Sequence, residues 1–256
     1  MDFSLQLPVN NLSFGQVSIC ILKEMYKRGL EPSLFPVNED ISSFSIDEQF
    51  LAWLKSCIAK GPRFHKREFP VFRLWHLNAT SLLSVSNKQI LLSFYELDSP
   101  TPAEINIAKN NHKLAFSCKH SIDIFSNYGI KPEHIPLGFD SNHFKRLDKQ
   151  FYDDERIVFN VCGKLEKRKR HNKLIRAWAK RFGNDKRSHL QCAIHNHFLK
   201  KEMPDLLTRI LEGKSFFNIQ FLDYMDKNVV YNDFLNSGDI VIGMSGAEGW
   251  GLPEFQ

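Results

Sequence analysis

The sequence predicts an α/β protein built from two doubly wound parallel-sheet domains, the second of them incomplete. Three observations point there. Short apolar runs of strand length alternate with amphipathic stretches of helix length along the chain. One charged segment, KRLDKQFYDDER at 145–156, interrupts the alternation and divides the chain into blocks 1–148 and 149–256. The chain then ends, at Gln256, in a loop that ought to open another helix.

In the first block an extended segment near Phe3 to Leu7 leads into the loop PVNNLSFGQ. A helix follows, with Val17, Ile21 and Met25 on one face and Lys27-Arg28-Gly29 as a basic last turn and glycine stop. Residues 32–37, PSLFPV, read as a strand. Ser45 to Lys60 is an amphipathic helix with Phe50, Trp53, Leu54 and Ile58 on one face, ending at Gly61-Pro62. Strands are expected again at Phe72–Leu77, Ile90–Tyr95 and Lys113–Ser117. The second block repeats this grammar, with strands at 157–162, 189–194, 217–222 and 239–243 and helices at 171–182, 203–212 and 227–236. Four strands fall short of the roughly six of a complete doubly wound half, so this domain reads as truncated.

Composition fits a soluble globular chain: 43% hydrophobic and 25% charged residues over 256 positions. The 22 phenylalanines are scattered, which reads as core packing. No apolar run reaches membrane-spanning length, so no transmembrane segment is expected and peripheral membrane contact stays open. The start, MDFSLQLPVNNLSFG, lacks the marks of a signal peptide. Five widely spaced cysteines form no C-x-x-C pair, against a disulfide framework or zinc site, and a cytoplasmic setting is the simplest. His195 and His197 have no third ligand nearby in sequence, so no metal site is expected. The net charge of +5 owes much to KLEKRKRH at Lys164 to His171, which calls for an anionic partner.

Two segments carry most of the chemistry. Ser245-Gly-Ala-Glu248-Gly249-Trp250-Gly251-Leu252-Pro253 follows a strand that ends at Met244. Ligands of open α/β sheets sit beyond the carboxyl ends of strands, and Gly249 and Gly251 would let backbone amides approach one. The N-terminus of the coming helix would favour phosphate. Gly163-Lys164-Leu165-Glu166-Lys167-Arg168-Lys169-Arg170-His171 likewise follows strand 157–162. By itself this run suits a solvated helix start or a nucleic-acid patch. Its place after a strand and a glycine, with no aromatic residue inside it, argues for a phosphate ligand and against nucleic acid.

The first segment closely resembles the S-x-x-E-G-F-G-L-P signature of family 4 glycosyltransferases and their GT-B relatives. The second is similar to that family's G-[RK]-x-x-x-x-K-G segment. Gly129 to Phe144, containing Pro136-Leu-Gly138-Phe-Asp140, resembles the P-x-G-V-D-x-x-x-F stretch that precedes the second domain. The resemblance covers residues 13 to 256. It implies two Rossmann-like domains facing a cleft, the acceptor on the first and a nucleoside-diphosphate sugar on the second. Transfer would retain the anomeric configuration and need neither metal nor cofactor. The acceptor could be a sugar, a lipid or a protein. By position, Lys164 and Lys169 would hold the donor diphosphate at Gly163, where fixed cations stabilise the leaving charge. Glu248 would lie by the donor sugar, with Gly249, Trp250 and Gly251 shaping the pocket.

The family's second acidic position falls on Gln256, which can still hydrogen-bond a ribose without charge. Ser13-Phe14-Gly15-Gln16 matches the family's glycine loop near the donor phosphate, and a structural turn is the other reading. His76 resembles a histidine near the reacting sugar, or is structural. Glu96 would meet the acceptor or cap the helix after Pro102. Arg168 and Arg170 read as surface charge, Phe144 as packing beneath the linker, and Gly138 and Asp140 as a turn. Other functions share these features. A sugar-nucleotide epimerase would isomerise the donor, and a non-catalytic protein would bind nucleoside diphosphate without turnover. A nucleic-acid binder would show salt-sensitive binding that survives saturating nucleotide sugar.

Overall fold

The structure, a computed structural model, describes residues 3–10, 12–41, 47–148 and 155–251. These fall into two compact units: Met1–Gly138 with Glu248–Trp250, and Phe139–Ala247 with Gly251–Gln256.

In the first unit the strands are β1 (Ser4–Val9), β2 (Ser33–Glu39), β3 (Val71–Leu74), β4 (Gln89–Ser93), β5 (Lys113–Phe116) and β6 (Glu133–His134). They form one sheet in the order β2-β1-β3-β4-β5-β6, parallel at every pairing. The helices are α1 (Ser13–Lys27), α2 (Glu48–Phe64), α3 (Pro102–Lys109) and α4 (Lys119–Ser126). Parallel strands are covered on both faces, and β1 is buried along its whole length. Leu5, Leu7, Ile19, Leu22, Phe50 and Leu54 form one core cluster; Leu91, Phe116, Ile124 and Phe125 belong to another.

Three expectations shift here. Ser13-Phe14-Gly15-Gln16 is the first turn of α1 rather than a loop; Gly15, Ser18, Ile19 and Leu22 are its buried positions, and Val17 and Met25 pack against the same core. Gly61-Pro62 does not end α2, which runs on to Phe64. A Cβ at Gly61 would sit 2.8 Å from the Leu34 carbonyl, so this glycine lets the helix lie close on β2. Pro62 falls in the last turn, and the His65 amide still reaches the Gly61 carbonyl at 3.3 Å. Glu96 is not the cap of α3: Thr101 caps it, in a reciprocal box with Glu104.

The second unit contains β7 (Ile157–Cys162), α5 (His171–Phe182), β8 (Ser188–Ala193), α6 (Met203–Ile210), β9 (Ile219–Phe221), α7 (Asn228–Ser237) and β10 (Ile240–Ile242). Its sheet runs β10-β7-β8-β9, again parallel. The core is Val161, Leu174, Ile175, Trp178, Leu190, Cys192, Ile194 and Ile210. Asp140 makes the expected turn, its carbonyl accepting from the His143 and Phe144 amides. Buried Phe144 then packs edge-on against Tyr231, 6.5 Å between centroids. Asn232 and Asn236, one turn apart on α7, accept from the Lys145 and Leu147 amides at 2.9 and 2.7 Å. These bonds explain why the compact unit takes in residues 139–148. The phenylalanines are not all core: Phe64, Phe139, Phe198 and Phe217 are exposed.

Candidate functional site

In a doubly wound sheet, ligands bind outside the carboxyl ends of the strands where the winding reverses. In the second unit that reversal lies between β7 and its neighbours β10 and β8. The loops there are the basic run after β7 and Met244–Ala247 after β10. Hydrogen bonds join these two loops. Arg168 donates through a guanidinium nitrogen to the Ala247 carbonyl at 2.9 Å, and the Gly246 amide donates to the Arg168 carbonyl at 2.9 Å. The Arg170 guanidinium lies 3.0 Å from where a Gly246 Cβ would stand. Arg168 therefore ties the two loops together, beyond its reading as surface charge, whereas Arg170 is exposed as that reading has it.

The start of the basic loop is fixed at several points. The Gly163 amide donates to the Ala193 carbonyl (3.1 Å) and the Leu165 amide to the Ile194 carbonyl (2.9 Å), both on the chain leaving β8. Gly163 has φ +90, a region a side chain rarely adopts. Lys169 is 5% exposed, and its Nζ would be 3.1 Å from a Cβ at Gly163. Glycine thus makes room for a buried lysine beneath the loop. His171, also buried, bridges from the first turn of α5 to the Gly163 carbonyl through Nε2 at 3.0 Å. Lys164 points outward instead, paired with Glu166 at 3.0 Å and lying 5.5 Å from the Phe198 ring centre.

A cavity of about 140 Å³ opens beside this loop, lined by Gly163, Lys164, His195, Asp223, Tyr224 and Tyr231 among others. His195 thus belongs to the site although no metal role was expected of it, and its ring lies 5.9 Å from that of Tyr224. Partial burial, with Asp226 nearby, raises the Tyr224 phenol above its ordinary value. His171, Asp223, Tyr224 and Tyr231 gave no signal in sequence. Asp223, Tyr224 and Tyr231 join the site through strand order, whereas His171 reaches Gly163 from eight residues along the same run.

In the first unit the winding reverses between β1 and β3. Gly15 follows β1 and His76 follows β3. The Phe14 ring lies 4.4 Å from that of His76 and 4.5 Å from that of Phe94. A Cβ at Gly15 would meet the Asn10 carbonyl oxygen at 1.8 Å, so this glycine serves the packing of α1 on the end of β1. Glu248–Trp250 group with this unit. The Ser117 hydroxyl donates to the Gly249 carbonyl at 2.6 Å, and a Gly249 Cβ would fall 2.6 Å from the Phe94 Cβ. Gly251, at φ +79, occupies the left-handed region. His76 is exposed and Glu248 is half-buried; Gln256, with Leu252 and Pro253, lies outside the described residues. Glu96, after β4, is half-buried.

No family model and no curated protein matches the sequence. Solved structures do. The chain is similar to sucrose-phosphate synthase from Thermosynechococcus elongatus, with a TM-score of 0.66 at 10% identity over 98% of this chain and 74% of that one. It is similar to HepE of Anabaena in complex with UDP-glucose, with a TM-score of 0.58 at 16% identity over 94% of this chain and 73% of that one. A trehalose 6-phosphate synthase from Burkholderia multivorans matches with a TM-score of 0.51 at 13% identity, over 80% of this chain and 57% of that one. The fold is the GT-B type that the sequence motifs implied, with Rossmann-like parallel sheets.

Proposed function

We propose that this protein is a glycosyltransferase that takes its sugar from a nucleoside-diphosphate donor held by the second unit. The observation that supports this most is Lys169, a cation buried under a left-handed glycine at the strand reversal of the second sheet. A lysine held in place beside the Gly163 loop offers a fixed cation at the carboxyl end of the sheet, where a diphosphate would be matched by its charge. Lys164, half-exposed and beside the cavity, is placed to move from Glu166 to the same ligand. The solved structures of the same fold include HepE with UDP-glucose, a donor of this class.

The chemistry follows from the charges. Breaking the bond between sugar and diphosphate leaves negative charge on the leaving oxygen. A fixed lysine stabilises that charge more in the transition state than before it. Glu248 and His76 are assigned to the reacting sugar, Gln256 to the ribose, and Gly249, Trp250 and Gly251 to the walls. Retention of configuration, independence of metal and cofactor, and a cytoplasmic setting belong to the same reading. The acceptor would meet the first unit.

Turnover tests it. UDP-, GDP- and ADP-sugars are incubated with the protein, with and without EDTA, and nucleoside diphosphate release is followed with a panel of sugar acceptors. Release with formation of an α-linked product from an α-linked donor, unaffected by EDTA, is the expected result. Recovery of an isomerised donor would mean an epimerase. Binding without release or isomerisation would mean a sugar-nucleotide-binding protein that does not transfer.

A further inference from the structure

Net charge is not spread evenly over the chain. Residues 1–138 with 248–250 hold 14 basic and 14 acidic residues, so the whole net charge of +5 falls on the second unit. Much of it lies away from the Gly163 loop, at the other end of the sheet. There the chain turns from α5 into β8 over 183–187 and from α6 into β9 over 211–218. Lys180, Arg181, Lys186, Arg187 and Lys214 are all exposed at this end. Four acids accompany them, of which Glu155 and Asp239 are exposed beside the start of β7, Asp239 accepting from the Val158 amide at 2.7 Å. The Asp185 carboxylate is turned inward, onto the Arg187 amide and the Ser188 hydroxyl, and Glu212 is 3.9 Å from Lys214.

Among these cations Phe217 is 66% exposed and Ile157, at the start of β7, is 48% exposed. Neither is loosely held. The Phe217 amide donates to the Asn184 side-chain oxygen at 3.1 Å, and the Ile157 amide donates to the Arg187 carbonyl at 2.8 Å. Asn218, 2% exposed, joins both loops. Its amide nitrogen reaches the carbonyls of Phe182, Asp185 and Ser188 at 2.8 to 3.0 Å, and its oxygen accepts from the Asn184 amide at 2.9 Å. A rigid backbone therefore holds two large apolar side chains in water at an end of the unit where basic residues outnumber acidic ones.

We propose that this end of the second unit docks on an anionic lipid bilayer. Phe217 and Ile157 enter the headgroup–acyl boundary, and Lys180, Arg181, Lys186, Arg187 and Lys214 contact the lipid phosphates and carboxylates. An apolar tip among basic residues is the pattern that combines acyl-chain burial with attraction to a negative surface. An aliphatic tip beside an aromatic one offers a nucleobase no second stacking platform, which favours lipid over single-stranded nucleic acid. The surface is separate from the Gly163 loop, so docking leaves that loop open to its ligand.

Sedimentation with vesicles tests the proposal, using the full chain. Vesicles of phosphatidylcholine with 30% phosphatidylserine (about 30%, a composition rich enough to give a strong surface potential) are compared with phosphatidylcholine alone. Binding to the first and not the second is expected, with weakening in high salt. Lys186→Ser and Arg187→Ser should each lower the partition coefficient roughly fivefold. Phe217→Ser should lower it further, and the Phe217→Trp protein should gain a blue-shifted emission on anionic vesicles that it lacks on phosphatidylcholine alone. Lys55→Ser, on α2 of the first unit, should bind as the unchanged protein does. Equal binding to both vesicles, no binding to either, or a Phe217→Ser protein that melts normally and binds undiminished would overturn it. So would charge-dependent binding to RNA with none to the anionic vesicles.

Discussion

Gly15 shows how sharply one residue can be specified. Its hypothetical Cβ would lie inside the Asn10 carbonyl, with the Asn10 side chain also at 2.6 Å. No rotamer relieves a clash with backbone. Gly15→Ala should lower stability by about 3 kcal/mol or more, read by urea denaturation; a loss below about 1 kcal/mol would mean that α1 shifts freely. The sequence showed that a glycine stood after the first strand, but the reason lies in a carbonyl five residues back. His189 gives a second case. Burial pushes its imidazole below the ordinary value of 6.5. A base depressed in the folded state takes up protons more readily when unfolded. Its contribution is complete above pH 6.5 and is lost as pH falls through the folded value. His189→Gln should therefore flatten the fall in melting temperature below pH 6.5, and an unchanged slope would contradict this.

Elements were legible where their period was clean. The strand at 157–162 and the helix at 171–182 occur at those residues, because a β-branched run and the stripe Leu174, Ile175, Trp178 leave little choice. The end of α2 was misread because Gly61-Pro62 is a stop signal only when nothing packs on the glycine. Here β2 does, and the helix continues for a last turn. Side-chain staples across elements left no trace in the sequence. Asn218 is the strongest of them, with four hydrogen bonds between the α5–β8 and α6–β9 loops. Asn218→Ala should cost about 2–3 kcal/mol in thermal or urea melts, since it removes several buried bonds at once. A change within about 0.5 kcal/mol would show that water replaces the side chain.

At the scale of the whole molecule, the site could be placed from motifs but not assembled from them. Gly163, Lys164 and Lys169 were legible because a basic run after a strand and glycine is rare. Arg168 was set aside because its partner, the Ala247 carbonyl, lies 79 residues away and is brought near only by the pairing of β10 with β7. Asp223, Tyr224 and Tyr231 are hidden from the sequence for the same reason, being brought to the cavity by strand order. His171→Ala should weaken nucleotide binding about tenfold through the Gly163 carbonyl, and lower stability by about 1–3 kcal/mol because a buried hydrogen bond is lost. Wild-type affinity in that variant would show that the loop holds its shape without the histidine.

In the proposed function the loop after β7 is a diphosphate cradle with Lys169 at its base. Titration calorimetry with UDP, GDP and ADP addresses this directly, using the unchanged protein, Lys169→Met, and Lys173→Met as an exposed neighbour on α5. Saturable binding of at least one nucleotide is expected, weakened about 10- to 100-fold by Lys169→Met and unaltered by Lys173→Met. Absence of binding for all three nucleotides, or equal affinity in a folded Lys169→Met protein, would contradict it.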